Sequence, residues 1–487
     1  MVLRRVRTID LSILRLRYGV VTCLVLVLCL VMGSSVALAE VKQGAEDVCL
    51  AAPFAESCQV VKIDAILVTG LLRTKRHVVT RELLFDEGDY ASLEQIQESM
   101  QRLRNLGIFR HADFELVSHK VPLPDGSMPR ELNPKRPSRV LKIKVDERWT
   151  LLPFGSFVQG GGLTSGSAGL FDVNLFGRYL EAGFQYSRLG ESDSFWRSGG
   201  AANSFMVWFV QNRFMDTYTR MGVDLRRALR QRRVYTEAGD VEGGFTLERS
   251  LATLHVNREM LRWLRVGASL ELAHDNFSSR FIDEESTLLQ VQNFGGLPED
   301  SRVYMLRWNM ALGRLNSDDF YVDGWRVFGA VGHTNKVWGA TQTFSDFDVT
   351  ARYYKKLKWR GNLAMRAQLG MTNTDYIQYL NYMGGLNRVR GYRDSRFRGR
   401  TAWSVNAEYR VAPLATRWVV LQGVGFVDAG AVGERSVTID RVDALSVGGG
   451  IRIISPKIYG LIMRADYAFP LTPGEPSRLS FGAGQFF

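Results

Sequence analysis

The stretch "SVNAEYRV", residues 404–411, sets Val405, Ala407, Tyr409 and Val411 at alternate positions, with Asn406, Glu408 and Arg410 between them. Successive side chains of an extended chain point to opposite faces, so one face here is apolar and the other polar and charged. The rhythm recurs from Trp149 to Phe487, and no convincing helix-period segment interrupts it. In "YLEAGFQYS", Leu180, Ala182, Phe184 and Tyr186 oppose Glu181, Gln185 and Ser187. In "RVGASLELAHD", Val266, Ala268, Leu270 and Leu272 oppose Ser269 and Glu271. "NLAMRAQLGMT" sets Leu363, Met365, Ala367 and Leu369 against Arg366 and Gln368, and "YGLIMRADYAF" sets Leu461, Met463, Ala465 and Tyr467 against Arg464 and Asp466.

Alternation alone also suits a half-buried soluble sheet. Three features favour a membrane barrel. The polar faces carry full charges, which a solvated lumen tolerates. The apolar faces run to four to six residues, near strands of about 9–11 residues that cross a bilayer. The chain also bears an export address and ends in an aromatic pair, Phe486-Phe487. Closure explains how so much antiparallel sheet avoids open edges. The expectation is a mainly β protein with a 16-stranded antiparallel transmembrane β-barrel over residues 149–487, an even number as in most such barrels.

The export address is residues 1–39. Arg4, Arg5, Arg7, Arg15 and Arg17 precede the uncharged "GVVTCLVLVLCLVM", and "GSSVALA" ends in Ala37-Leu38-Ala39. A basic region, an apolar core and an A-x-A site make a secretory signal peptide. An uncleaved anchor is the alternative, because Tyr18 to Ala39 could span a bilayer. Cleavage removes five arginines and Asp10, so the net charge falls from +12 to +8. That excess on an exported chain fits an anionic membrane surface and argues against nucleic acid. Cys49 and Cys58, in the short segment 40–59, would form a disulfide in an oxidising compartment. Their spacing lacks the paired pattern of a zinc site, and no metal or cofactor is expected.

Residues 60–148 read as a small β-α-α-β-β domain. "VVKIDAILV" (60–68) is a strand. A helix over 74–84 has Thr74 as its candidate N-cap. A second helix over 92–107 has the capping box Ser92/Gln95, with Ile96, Met100 and Leu103 on one face and Gly107 as its stop. Strands follow at 108–117 and 139–147, joined by a loop rich in Pro and charge.

Between the eleventh and twelfth barrel strands lies "GGLNRVRGYRDSRFRG" (384–399), with Arg388, Arg390, Arg393, Arg396 and Arg398. Odd strands run outward from a periplasmic domain, so this connection is extracellular. Its motif "VRGY" (Val389, Arg390, Gly391, Tyr392) resembles the sixth-loop motif of the BamA/TamA-like superfamily of bacterial surface-antigen barrels. Residues 60–148 resemble a POTRA domain, including "ILVTGL" and "LRNLGIFRHADFEL". "FDVNLFG" (171–177) is similar to an early barrel signature, and "FVDAG" (426–430) to the F-x-D-x-G strand motif, with Phe426, Asp428 and Gly430. "SVGGGIRIISP" and "MRADYAFP" resemble the final strands. The resemblance implies that the loop folds into the lumen, where Arg390 forks to Asp428 and to Glu408, both inward by alternation. Gly391 would admit close backbone approach. The other four arginines read as surface charge.

A second candidate is the seam. The first strand, "LLPFGSFVQGGG", holds Gly155 and Gly160, and the last, "LSFGAGQFF", holds Gly482, Gly484 and Phe487. Glycine weakens strand pairing. These glycines are either curvature kinks or a lateral gate able to template an incoming strand. The resemblance implies an outer-membrane factor that inserts or exports polypeptides, its POTRA-like domain in the periplasm. Implied partners are unfolded outer-membrane or secreted polypeptides, periplasmic or lipoprotein subunits, and outer-membrane lipid with lipopolysaccharide. The alternatives are a porin-like channel, a surface receptor, or a transporter dedicated to one secreted substrate. An enzyme is not expected: no G-x-S-x-G, H-E-x-x-H or P-loop occurs, and His77, His111, His119, His255, His274 and His333 are scattered.

Overall fold

The structure, a computed structural model, describes residues 60–118, 139–160, 163–191, 201–235, 241–278, 300–385, 388–434, 441–472 and 474–487. The expected signal peptide, the expected Cys49–Cys58 disulfide, His119 and the Pro-rich stretch 119–138 lie outside these residues.

In the amino-terminal domain the expected first strand is two. β1 (Val60–Lys62) pairs with β3 (Tyr90–Ser92), and β2 (Ala65–Thr69) joins a separate sheet in the order β2-β5-β4, with β4 (Phe109–Ser118) and β5 (Arg139–Glu147). β2 runs parallel to β5, and β4 antiparallel to it. The break falls at Ile63 and Asp64, whose amides bond to Asp89 and Arg139 carbonyls and so leave one sheet for the other. α1 spans only Arg76–Thr80 and is capped by Lys75 without a side-chain bond. Thr74 is not its cap, because its hydroxyl is engaged with Glu147 and Asn174. α2 (Leu93–Asn105) carries the capping box: Gln95 N donates to Ser92 Oγ, and Ser92 N donates to Gln95 Oε1. Ile96, Met100 and Leu103 are buried on the helix face that meets the sheet, and Gly107 ends the turn at φ +77°.

Sixteen antiparallel strands follow. They are β6 (Leu151–Gly160), β7 (Leu163–Leu175), β8 (Leu180–Glu191), β9 (Ala201–Gln211), β10 (Thr219–Tyr235), β11 (Val241–Leu261), β12 (Leu264–Ser278), β13 (Ser301–Asp318), β14 (Tyr321–Thr334), β15 (Phe344–Leu357), β16 (Gly361–Thr372), β19 (Thr401–Ala415), β20 (Val420–Gly433), β21 (Ala444–Ile454), β22 (Ile462–Pro470) and β23 (Arg478–Ala483). Each pairs with the next, and β23 meets β6 to close the barrel. Between β16 and β19 lies a separate two-stranded hairpin, β17 (Asn381–Met383) paired with β18 (Phe397–Gly399).

The alternation decides which side meets lipid. Phe184, Phe205, Leu225, Leu270, Met365 and Tyr409 are among the large apolar side chains left exposed on the outer face. Their alternate neighbours turn inward, where Asn406, Glu408 and Asp428 are buried. In water such an outer face would be an association liability; in hydrocarbon it is the favourable surface. The long β10–β11 hairpin rises over the lumen. Val234, Phe245 and Leu247 pack there on Ile377 of the β16–β19 connection.

The amino-terminal domain is fastened to the opposite, periplasmic rim. Asp172 accepts from Arg73 at 2.7 Å, and Asn174 Nδ2 donates to Thr74 Oγ1 at 2.7 Å. Gly177 (φ +69°) accepts from Lys75 N, and a Cβ there would stand 2.0 Å from the Arg73 carbonyl oxygen. "FDVNLFG" is therefore the joint between the two parts. Glu82 takes a fork from Arg213, with Nε at 2.6 Å and Nη2 at 2.8 Å. Burial opposes the Arg213 charge, but the hydrogen bonds and charge of Glu82 more than offset it and raise its pKa.

Candidate functional site

The β16–β19 connection folds into the barrel, and Arg390 is its deepest charge, with 1% of its side chain exposed. Nε and Nη2 donate to the two oxygens of Asp428 at 2.7 and 2.8 Å, and Nη1 donates to Glu408 Oε1 at 2.6 Å. The Arg390 amide also donates to Asp428, at 3.1 Å. The planar fork satisfies both carboxylate oxygens at once, which an ammonium could not do. Its face lies 3.5 Å from the Phe426 ring centroid and 4.0 Å from that of Phe486. Cation–π contact of this kind strengthens when desolvated.

Register brings these residues to one height. β16 pairs with β19 and β19 with β20, with Asn406 opposite Asp428 and Glu408 opposite Phe426. The loop side is held by three further contacts. Tyr392 is buried; its hydroxyl donates to the Leu445 carbonyl at 2.8 Å and accepts from the Leu445 amide at 2.9 Å. Val389 packs with Met383, Tyr392 and Ala444. Gly391 sits at φ +90°, and a Cβ there would stand 3.1 Å from Pro470 Cγ. Gly430 has a different task. A Cβ on it would fall 2.5 Å from Met383 Sδ and 2.7 Å from the Trp403 carbonyl oxygen, so it lets β17 lie against the wall.

The cluster is larger than the residues singled out from the sequence. Glu408 Oε2 accepts from Arg410 at 2.7 Å, and Asp466 accepts from Arg452 at 2.7 Å and stands 3.7 Å from Arg390. Asn406 bridges the loop, donating to the Arg388 carbonyl (2.7 Å) and to Asp428 (2.9 Å). Arg410, Asp466 and Asn406 had a signal, since alternation puts all three on polar faces. What the sequence lacked was the register that gathers them.

Two expectations need correction. The other loop arginines are not free surface charge: all four are partly buried, and Arg396 pairs with Glu475 at 2.9 Å. The loop enters the lumen as a body, so its flanks meet the inner wall. Phe487 also does not sit at the seam. β23 ends at Ala483, Gly484 (φ +81°) turns the chain inward, and Phe486 and Phe487 lie 4.9 Å from the Arg366 guanidinium. The Phe487 terminal oxygen accepts from Arg410 at 3.2 Å.

At the seam, β23 and β6 share one register pair among the described residues, Phe481 with Gln159, against ten between β6 and β7. Gly155 and Gly160 pair with Ala168 and Leu163 of β7, not across the seam. Gly482 faces inward, where a Cβ would stand 2.8 Å from Arg464 Nε.

The profile of the Omp85 superfamily domain matches residues 174–487, and that of the POTRA domain (surface antigen variable number repeat) matches residues 61–148. The outer membrane protein assembly factor BamA of Nitratidesulfovibrio vulgaris is 24% identical over 471 residues, 88% of this chain and 52% of that protein. The chain spans about half or less of the length of the curated relatives it matches. In fold it is similar to BamA from Haemophilus ducreyi lacking POTRA domains 1–3 (TM-score 0.52, 15% identity, 87% of this chain and 84% of that one). It is also similar to CdiB from Acinetobacter baumannii (TM-score 0.54, 14% identity, 88% and 74%).

Proposed function

Because the chain belongs to the Omp85 superfamily, we propose that it is an outer-membrane factor that inserts or exports polypeptides through a laterally opening barrel. The POTRA domain stands at the periplasmic rim and receives the client or a partner subunit. The client pairs as a strand with the free edge of β6 when β23 withdraws. The observation that carries this is the disparity at the seam among the described residues: one register pair there, against ten at the neighbouring β6–β7 ladder. Backbone hydrogen bonds lost on opening are few, and an incoming strand replaces them.

The Arg390 fork holds the loop against β19 and β20 while the seam moves. A buried ion pair is weak as a source of net stability, because desolvation offsets its attraction. Its product is a fixed loop geometry. The work proceeds by binding and strand exchange, without a covalent step. The relatives' names support assembly of outer-membrane proteins, and the fold is shared with a CdiB barrel. A porin-like role is disfavoured by a lumen occupied by the loop and the carboxy-terminal aromatics.

Crosslinking the seam tests the proposal. Cysteines at Gln159 and Phe481, oxidised to a disulfide, should block appearance of new outer-membrane barrels or secreted clients, and reduction should restore it. Undiminished client assembly by the oxidised protein would refute lateral opening. Depletion that leaves every outer-membrane barrel and secreted protein at its normal level would refute the wider assignment.

A further inference from the structure

Between α2 and the inner wall of the barrel lies a cavity of about 300 Å3 whose charge is lopsided. Its lining holds seven arginines and three glutamates. The glutamates are spent on ion pairs that join the two parts or lie within the wall: Glu82 with Arg213, Glu98 with Arg314, and Glu259 with Arg102 of α2 at 2.9 Å and Arg265 at 3.7 Å. Arg220 is drawn to Glu181, outside the cavity, at 3.3 Å. Arg262 and Arg326 have no acid within ion-pair distance among the described residues.

Arg326 is not isolated in sign. Its register partner on β15 is Arg352, and that residue's partner on β16 is Arg366, three like charges in a row on the inner wall. Adjacent strands hold such partners about 5 Å apart, where like charges destabilise. The outward neighbours, Trp325, Tyr353 and Met365, are exposed to the lipid side, so the arginine row faces inward. A second observation points to a missing acceptor. Arg102, whose side chain is 9% exposed, keeps its Nε buried without a hydrogen-bond partner, 3.9 Å from Glu82; Arg314 Nη2 is likewise buried and unpartnered. Unmet charged donors in a cavity with surplus positive charge are costly unless an anion completes them.

We propose that this cavity is a receiving site for carboxylates, filled by acidic side chains of the polypeptide as it passes from the POTRA domain to the barrel. The inference rests on the assembly reading and names the chemistry that the client presents. A client is favoured over a lipid headgroup because α2 of the POTRA domain and the inward-facing Glu259 and Arg326 line the cavity, and its mouth opens at the exposed Leu261–Trp263 turn on the rim that carries the POTRA domain. Guanidinium donors suit the task, since they bind carboxylates in a planar fork and release them again in water.

The test uses the full chain in detergent micelles with a fluorescent deca-glutamate peptide, and a deca-glutamine peptide as control. The glutamate peptide should bind and the glutamine peptide should not. The double variant Arg262→Gln/Arg326→Gln should weaken binding about tenfold or more, as expected for loss of charge-assisted contacts. Arg326→Lys should restore part of it. Heat-modifiable migration of each variant shows that its barrel is folded. Equal binding of both peptides, or unchanged binding by the folded double variant, would overturn the site and mark the arginines as a water-solvated wall. Loss in the variant of phosphatidylglycerol binding instead of peptide binding would also overturn it, in favour of a lipid. None of these outcomes touches seam opening, which the crosslink measures separately.

Discussion

Removing the Arg390 guanidinium should strand one carboxylate far more than the other. Glu408 would keep Arg410 at 2.7 Å and Arg452 at 3.6 Å. Asp428 would keep the Asn406 amide at 2.9 Å and the backbone amide of residue 390 at 3.1 Å, but no cation, having lost two charged side-chain hydrogen bonds. Breaking a buried pair from one side costs about 3–5 kcal/mol, and the partners left to Glu408 place Arg390→Ala near the lower end, about 3 kcal/mol. Asp428→Ala leaves Arg390 with Glu408 at 2.6 Å and Asp466 at 3.7 Å, and should cost about 2 kcal/mol. The two losses share one interaction, so the double variant should cost well below their sum, with a coupling of about 2 kcal/mol. The assay is urea unfolding in micelles, followed by tryptophan fluorescence and by heat-modifiable migration, for all four corners of the cycle. Additivity within about 0.5 kcal/mol would show that the side chains do not act as a pair and would refute the reasoning.

Gly430→Ala should be worse than its size suggests, about 2 kcal/mol, because its Cβ would overlap Met383 Sδ and the Trp403 carbonyl; raised protease cleavage in the β17–β18 hairpin would report it. Ser92→Ala removes the acceptor for the Gln95 amide and should cost the POTRA domain about 1 kcal/mol, read as faster hydrogen exchange in the first turn of α2. His77 has its pKa pushed below the ordinary 6.5 by burial and then by Arg81. The unfolded chain therefore binds the proton more readily. Stability is full above pH 6.5 and declines as pH falls through the window down to the lowered native value. A midpoint below 6.5 in an imidazole NMR titration is expected, and His77→Gln should flatten that slope.

Much of the molecule was legible because its causes are local. The period of two in "SVNAEYRV" and its fellows marks inner and outer faces wherever lipid and a wet lumen flank one sheet. The α2 capping box closes within four residues, so Ser92 and Gln95 could be read directly. Where the reading failed, a distant partner had intervened. Thr74 looks like a cap, but Glu147 and Asn174 hold its hydroxyl. Phe487 looks like the end of a strand, but Gly484 turns it toward Arg366 and Arg410.

The sequence by itself determined the strand alternation and the inward side of Glu408, Asp428 and Asp466, since these follow from side-chain period. Only the tertiary structure decided that those three acids stand at one height around Arg390. Register across β19, β20, β21 and β22 is a property of paired strands, and a shift of two residues would keep every face and scatter the cluster. The same holds for the arginine row of β14 to β16. Its three members are 26 and 14 residues apart in the chain, and only the ladder makes them neighbours.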